Sequence, residues 1–149
     1  DKVKEIHAID ISSRMIDMAK IKADERHIDN IHYAHATIFD ERFRKESFNV
    51  IIAFRILHVL EDTPAVMRRI NELLKPGGVF ISVTTCMGSY KVFLSIIVSL
   101  LKKAGVVPHL NWFKFPDLQR VITGGGLQII EYEKMDDKVP NYCIVARKL

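Results

Sequence analysis

Apolar and polar positions along this chain switch repeatedly between a period of two and a period near 3.6. Ile6, Ala8 and Ile9 give the segment Glu5–Asp10 strand character. Met15, Ile16, Ala19 and Ala23 then recur at helical spacing. Ser12, just ahead of them, is a natural N-cap, because its hydroxyl can accept one of the helix's orphan N–H bonds. A strand ending at Asp10, a short turn and an amphipathic helix are therefore predicted. Asp29-Asn30 turn the chain into a second strand, Ile31–Thr37, and a polar loop follows from Asp40 to Ser47. Phe48–Phe54 is almost wholly apolar, the pattern of a parallel strand buried on both faces. Thr63 then reads as an N-cap with Pro64 at the first helical position. Val66, Met67, Ile70, Leu73 and Leu74 form the buried stripe of that helix. Lys75-Pro76-Gly77-Gly78 ends it and leads into a strand, Val79–Thr84.

This β-α-β alternation predicts an α/β, Rossmann-like, mostly parallel sheet with helices on both faces. The grammar changes afterwards. Tyr90–Ala104 reads as a helix ended by Gly105, with its polar residues confined to a stripe at Lys91, Ser95, Ser99, Lys102 and Lys103. An irregular stretch carries Pro108, His109, Trp112, Phe113 and Phe115. A short helix near Pro116–Ile122 and the turn Gly124-Gly125-Gly126 come next. Strands Leu127–Met135 and Tyr142–Lys148, joined through Asp136-Asp137-Lys138, are expected to pair antiparallel at the sheet's edge. No repeat or linker divides residues 1–149, so a single domain is expected.

Composition narrows the classes. Hydrophobic residues at 48% and charged residues at 27% suit an ordered globular chain. The net charge of +4 is mild, and Lys and Arg form no stripe, so a nucleic-acid binder is not expected. Cys86 and Cys143 are far apart and in no CxxC pair, which argues against a metal knot and for a reducing, cytoplasmic setting. The N-terminus has no charged-then-apolar signal pattern. Val92–Leu101 is too short to span a bilayer. His32 and His35, three apart on a strand, point to opposite faces, which rules out their sharing a metal.

Asp10 is the first candidate for chemistry. An acid at the carboxyl end of such a strand lies where open α/β sheets bind ligands, and a carboxylate there can accept two hydrogen bonds from ribose hydroxyls. The same Asp also suits a turn cap.

Three segments together carry a family resemblance. Ala8-Ile9-Asp10-Ile11-Ser12 with Met15 and Ala19 resembles the second strand and helix of class I S-adenosylmethionine-dependent methyltransferases. Phe48-Asn49-Val50-Ile51-Ile52, running to Leu57-His58-Val59-Leu60-Glu61-Asp62, resembles their fourth strand and the following loop. Leu73-Leu74-Lys75-Pro76-Gly77-Gly78-Val79-Phe80 is similar to the entry into their fifth strand and is the most specific match. The small ubiquinone/menaquinone-type enzymes are nearest, and only Ser89–Lys114 falls outside the likeness. Two departures stand out. The family's first strand and Gly-rich turn have no counterpart here, since no glycine precedes Gly77. The resemblance places that strand between those matching Glu5–Asp10 and Phe48–Phe54, so each would show an unpaired edge, which is costly when buried. The domain is accordingly expected to be N-terminally incomplete and to bind cofactor weakly or not at all by itself. Second, Thr37 stands near where the family often has an acid for the adenine amino group, and the nearest acid is Asp40.

The resemblance implies S-adenosylmethionine as cofactor, with Asp10 on the ribose, Ile11 and Met15 lining the adenine, and Thr37 and Ile38 flanking its edge. Met15 fits a core position equally well. Phe54 and Arg55 follow the fourth strand at the edge where the methyl travels; a buried aromatic and a solvated arginine are their plain alternatives. His58 is the candidate catalytic base, because its reference pKa lies near neutrality; helix packing is the competing role. Tyr90, Trp112 and Phe113 belong to the expected substrate cover, which points to a small hydrophobic acceptor. Thr84, Thr85 and Cys86 are either lining residues or strand caps. The Lys102-Lys103 pair is a thin membrane-surface signal. A non-catalytic module, dimerising through its open sheet edge, is the alternative function. A nicotinamide dehydrogenase is a distant third, since Lys75–Gly78 and the antiparallel ending do not suit it.

Overall fold

The computed structural model describes residues 3–86, 111, 113–135 and 140–149. Two compact units divide the chain, residues 1–43 and 44–149. The predicted helix Tyr90–Ala104, the Lys102-Lys103 pair, Tyr90, Trp112 and the turn Asp136-Asp137-Lys138 lie outside the described residues.

The first unit is a β-α-β element. Strand β1 (Ile6–Asp10) and strand β2 (Ile31–His35) pair in parallel, from Ile6 opposite Ile31 to Asp10 opposite His35. Parallel neighbours need a crossover, and helix α1 (Ser13–Asp24) provides it. Ser12 caps α1 as its residue type predicts, its Oγ accepting from the Met15 amide at 3.3 Å. Ile16 and Ala23 are the buried positions of α1, whereas Met15, Met18 and Ile21 are exposed. Met15 therefore is no core residue. Strand β2 stops at His35, two residues short of the expected Thr37.

In the second unit, strand β3 (Phe48–Phe54) leads through a short 3-10 turn (Leu57–Val59) to helix α2 (Thr63–Leu73) and strand β4 (Leu74–Thr85). Helix α3 (Phe115–Gly124) precedes strands β5 (Leu127–Lys134) and β6 (Asn141–Lys148). The sheet order is β3-β4-β6-β5, with β3 parallel to β4 and β6 antiparallel to both neighbours. The last two strands pair as expected, with β6 placed beside β4.

Register and strand alternation sort the side chains of this sheet. Ile51, Ala53, Phe80, Ser82, Thr84, Tyr142, Ile144 and Ala146 share one face. Helix α3 lies on it, since Phe115 stacks on Tyr142 at 4.2 Å and meets Tyr132 at 4.9 Å. Helix α2 packs against both α3 and β4. Met67, Ile70 and Leu73 of α2, Leu118 and Ile122 of α3, and Phe80, Ile144 and Ala146 are the buried result.

The other face corrects an expectation. Val50, Ile52 and Phe54 are 48%, 54% and 68% exposed, so β3 is not buried on both sides. An apolar run supplies two hydrophobic faces, but each needs an element laid over it, and among the described residues of this unit both helices pack on the opposite face. Among the described residues, β1 and β3 each have one strand neighbour, β2 and β4 respectively.

Two local boundaries also differ. Asp62, not Thr63, caps α2, its Oδ1 accepting from the Ala65 amide at 2.8 Å. Thr63 is instead buried, its hydroxyl donating to the Leu57 carbonyl at 3.3 Å. Strand β4 begins at Leu74, directly opposite Phe48, and the ladder resumes at Val79 opposite Val50. The Lys75–Gly78 turn is absorbed there as a register irregularity. Gly77 takes φ +75°, and a Cβ on Gly78 would stand 2.8 Å from the Lys75 carbonyl oxygen, so both glycines answer a steric demand.

Candidate functional site

In the first unit the predicted residues gather at the carboxyl ends of β1 and β2. Asp10 closes β1, and its Oδ1 accepts from the Ser12 amide at 2.8 Å. That is the turn-capping role anticipated for it. Among the described residues its second oxygen, Oδ2, has no hydrogen-bond partner, so one acceptor stays available to a ligand. Ile11, next along, is 74% exposed, and Met15 one turn into α1 is 52% exposed. Large apolar side chains left open beside a part-used carboxylate make a surface able to take an apolar ring next to a hydroxyl-bearing group.

Across the strand pair, Thr37 is exposed and its Oγ1 accepts from the Phe39 amide at 3.2 Å, while Ile38 is half-buried. Asp40 is already committed. Arg42 grips both carboxylate oxygens at 2.8 Å and adds its own amide at 3.0 Å. That bidentate pairing holds the Asp40 carboxyl down at about 2. The nearest acid to Thr37 is thus tied up by a neighbour two residues on.

Sequence reasoning placed His35 only in a rejected metal pair. Its Nε2 lies 2.9 Å from the Ile11 carbonyl oxygen, bridging β2 to the residue after Asp10. His32 turns elsewhere, to Glu5 at 3.1 Å, which also meets His7 at 3.2 Å. The two histidines therefore share no ligand, and no group of three candidate metal ligands occurs among the described residues. The link that makes His35 interesting is tertiary: its partner is 24 residues away and is a backbone atom, which no side-chain motif reveals.

The second unit presents Phe54, Arg55 and His58 after β3. Phe54, at the strand's end, is 68% exposed, so the buried-aromatic alternative does not describe it. Arg55 adopts φ +51°, unusual for a residue with a Cβ, while its amide donates to the Val83 carbonyl at 2.8 Å. This left-handed residue breaks the strand direction and turns the chain into the 3-10 turn that bears His58.

His58 is half-buried. Burial, and secondarily the positive charge of Arg55, push its pKa below the usual histidine value, which keeps the ring neutral at neutral pH. Its Nδ1 is buried without a hydrogen-bond partner among the described residues. The His58 carbonyl accepts from the Asn111 amide at 2.6 Å, and the Asn111 side chain donates to the Leu60 carbonyl and Thr63 hydroxyl, fastening the turn.

Thr84 is fully buried with its hydroxyl unpartnered among the described residues, and Thr85 donates to Asn141 Oδ1 at 2.7 Å. Cys86 is buried, and burial, with a smaller push from Asp117, raises its thiol to about 11. An un-ionised, covered thiol is no nucleophile at neutral pH. Phe113 is half-buried. Tyr90 and Trp112, its expected companions in a substrate cover, are outside the described residues.

Comparison with known proteins places the chain in a family. A sequence model described as a methyltransferase domain matches residues 2–112. A ubiquinone biosynthesis O-methyltransferase of Rhodopseudomonas palustris is 31% identical over 132 residues, covering 85% of this chain and 51% of the relative. A demethylmenaquinone methyltransferase of Staphylococcus haemolyticus is 30% identical over 132 residues, covering 78% and 54%. The chain thus spans about half the length of these curated relatives. Among solved structures, a putative methyltransferase from Bacillus halodurans superposes with TM-score 0.78 at 13% identity, over 98% of this chain and 84% of that one. The geranyl diphosphate C-methyltransferase of Streptomyces coelicolor, in complex with geranyl diphosphate and S-adenosyl-L-homocysteine, gives 0.77 at 14%, over 97% and 65%. At such identities the structures speak for the fold, and the sequence match over residues 2–112 speaks for descent. This chain belongs to the methyltransferase-domain family.

Proposed function

We propose that the chain is part of an S-adenosylmethionine-dependent methyltransferase acting on a small hydrophobic acceptor. The observation that carries this reading is Asp10, closing a parallel strand with one free carboxylate oxygen inside the segment matched by the methyltransferase domain. In this reading Oδ2 of Asp10 accepts from the ribose, exposed Ile11 and Met15 lie along the adenine, and Thr37 and Ile38 flank its edge. Phe54 and Arg55 serve the donor from the end of β3.

S-adenosylmethionine supplies a methyl group on a sulfonium, open to in-line displacement, so the protein's task is chiefly alignment and exclusion of water. His58 takes the acceptor's proton. Its depressed pKa leaves it unprotonated at neutral pH. The resemblance assigns Tyr90, Trp112 and Phe113 to the acceptor's cover. Its hydrophobic character is supported by these aromatics and by the quinone-related names of the relatives above. A reducing, cytoplasmic setting suits two free cysteines, Cys86 and Cys143.

Calorimetric titration of the natural gene product with S-adenosylhomocysteine tests the reading. Micromolar binding, lowered at least tenfold in Asp10→Ala, is expected; undetectable binding by the wild type would sink it. Radiolabelled methyl transfer to a demethylated quinone then tests the acceptor, and His58→Gln should lower kcat with little change in KM.

A second reading has its own observation. Strand β3 ends the order of the four-stranded sheet among the described residues and carries the exposed apolar side chains Val50, Ile52 and Phe54, the kind of surface through which a second copy of this chain can pair. Sedimentation equilibrium separates the two: a dimer abolished by Ile52→Lys, together with no cofactor binding, selects the interaction module.

A further inference from the structure

We propose that His35 is a positioning residue for the donor-binding corner, holding the Ile11 peptide so that Asp10 and Ile11 are presented together; this rests on the methyl-transfer reading above. The corner is short. The β1–β2 ladder ends at Asp10 opposite His35, with the Ala36 amide donating to the Asp10 carbonyl at 3.1 Å. At Ser12 the helix has begun, its carbonyl accepting from the Met15 and Ile16 amides at 3.0 and 3.1 Å. Ile11 alone lies between the two hydrogen-bonded systems.

Its side chain cannot anchor it, being 74% exposed. Its carbonyl is past the last ladder pair and before the first helical acceptor. The His35 ring meets that carbonyl at 2.9 Å from the neighbouring strand. A carbonyl oxygen only accepts, so Nε2 carries the hydrogen. Together with the Ser12 amide on Asp10 Oδ1, it closes a frame in which the free Oδ2 and the exposed Ile11 side chain keep one relative orientation. Pre-setting that orientation removes an ordering cost from ligand binding.

The bond is exposed, so water replaces it readily and folding gains little from it. Affinity and stability should therefore separate. In the natural gene product, His35→Leu is expected to weaken S-adenosylhomocysteine binding by roughly three- to tenfold, the range one hydrogen bond supplies. The thermal midpoint without ligand should stay near that of the wild type. His35→Gln, whose amide NH₂ can reach the same carbonyl, is expected to recover most of the affinity. Nitrogen NMR of the wild type should show the Nε2–H tautomer at His35.

Equal affinity in wild type and His35→Leu overturns the proposal alone. So does an Nδ1–H tautomer, or a loss that tracks a falling midpoint and that glutamine does not rescue. Absence of binding by the wild type overturns the methyl-transfer reading, and this proposal with it.

Discussion

The two faces of the four-stranded sheet are made from similar residues and have opposite fates. On one, Phe80, Ser82 and Ile144 are fully buried beneath α2 and α3. On the other, Val50, Ile52 and Phe54 stand about half to two-thirds exposed. Strand β3 contributes to both, Ala53 to the covered face and Ile52 to the open one. Hydrophobic sequence is thus a capacity for burial, and an overlying element turns it into stabilisation. The covered face also tolerates two hydroxyls, Ser82 Oγ and Thr84 Oγ1, without hydrogen-bond partners among the described residues, a cost that the open face never meets.

The contrast can be broken most forcefully at Phe80 and Ile52. Phe80→Ala removes a ring from a closed core and should cost about 3–5 kcal/mol, whereas Ile52→Ala should cost about 1 kcal/mol or less. Urea unfolding of both variants measures the gap; equal losses would mean that the open face is covered in solution. Next come two adjacent glycines. A Cβ on Gly125 would stand 2.8 Å from Met67 Cβ and 3.1 Å from its carbonyl carbon, so Gly125→Ala should destabilise by about 1–3 kcal/mol. Gly124, one residue earlier, has nothing within 4 Å, and Gly124→Ala should stabilise by about 0.5 kcal/mol.

A smaller effect is expected where β3 leaves the sheet. His58 is held below its ordinary 6.5 by burial, so the folded state takes up its proton less readily than the unfolded chain. Stability is unaffected by this group well above 6.5 and is lost as pH falls beneath it. Relative to His58→Gln, the wild type should lose stability as pH falls below about 6.5, followed by thermal unfolding at a series of pH values. Last, the two thiols report the two faces with almost no energetic change. Cys86 continues the covered face and is raised to about 11, while Cys143 pairs with Val83 on the open face and is half-buried. A thiol reagent at mildly alkaline pH should label Cys143 first and Cys86 only on unfolding.

Much of the fold was legible in the chain. The spacing of Ile16 and Ala23, the Ser12 cap, the Phe48–Phe54 run and the glycines after Leu74 each encode a local preference, and each appears where it was expected. Boundaries that depend on a partner were not. Thr63 lost the cap to Asp62 because its hydroxyl found the Leu57 carbonyl, and β4 started early because Leu74 met Phe48. Asp10 was legible because a strand-ending acid is a local pattern. Asp40 was removed from candidacy by Arg42, two residues on, through a geometry that spacing alone does not announce.

The sequence by itself determined the α/β alternation, the strand-end acid and the family, because these rest on periodicity and short motifs carried in contiguous residues. Tertiary structure alone decided which face of β3 is covered, how Arg55 turns the chain before His58, and that His35 holds the Ile11 carbonyl. Those outcomes require segments distant in sequence to come within a few ångströms of one another, and burial, hydrogen bonding and pKa shifts arise only once they have.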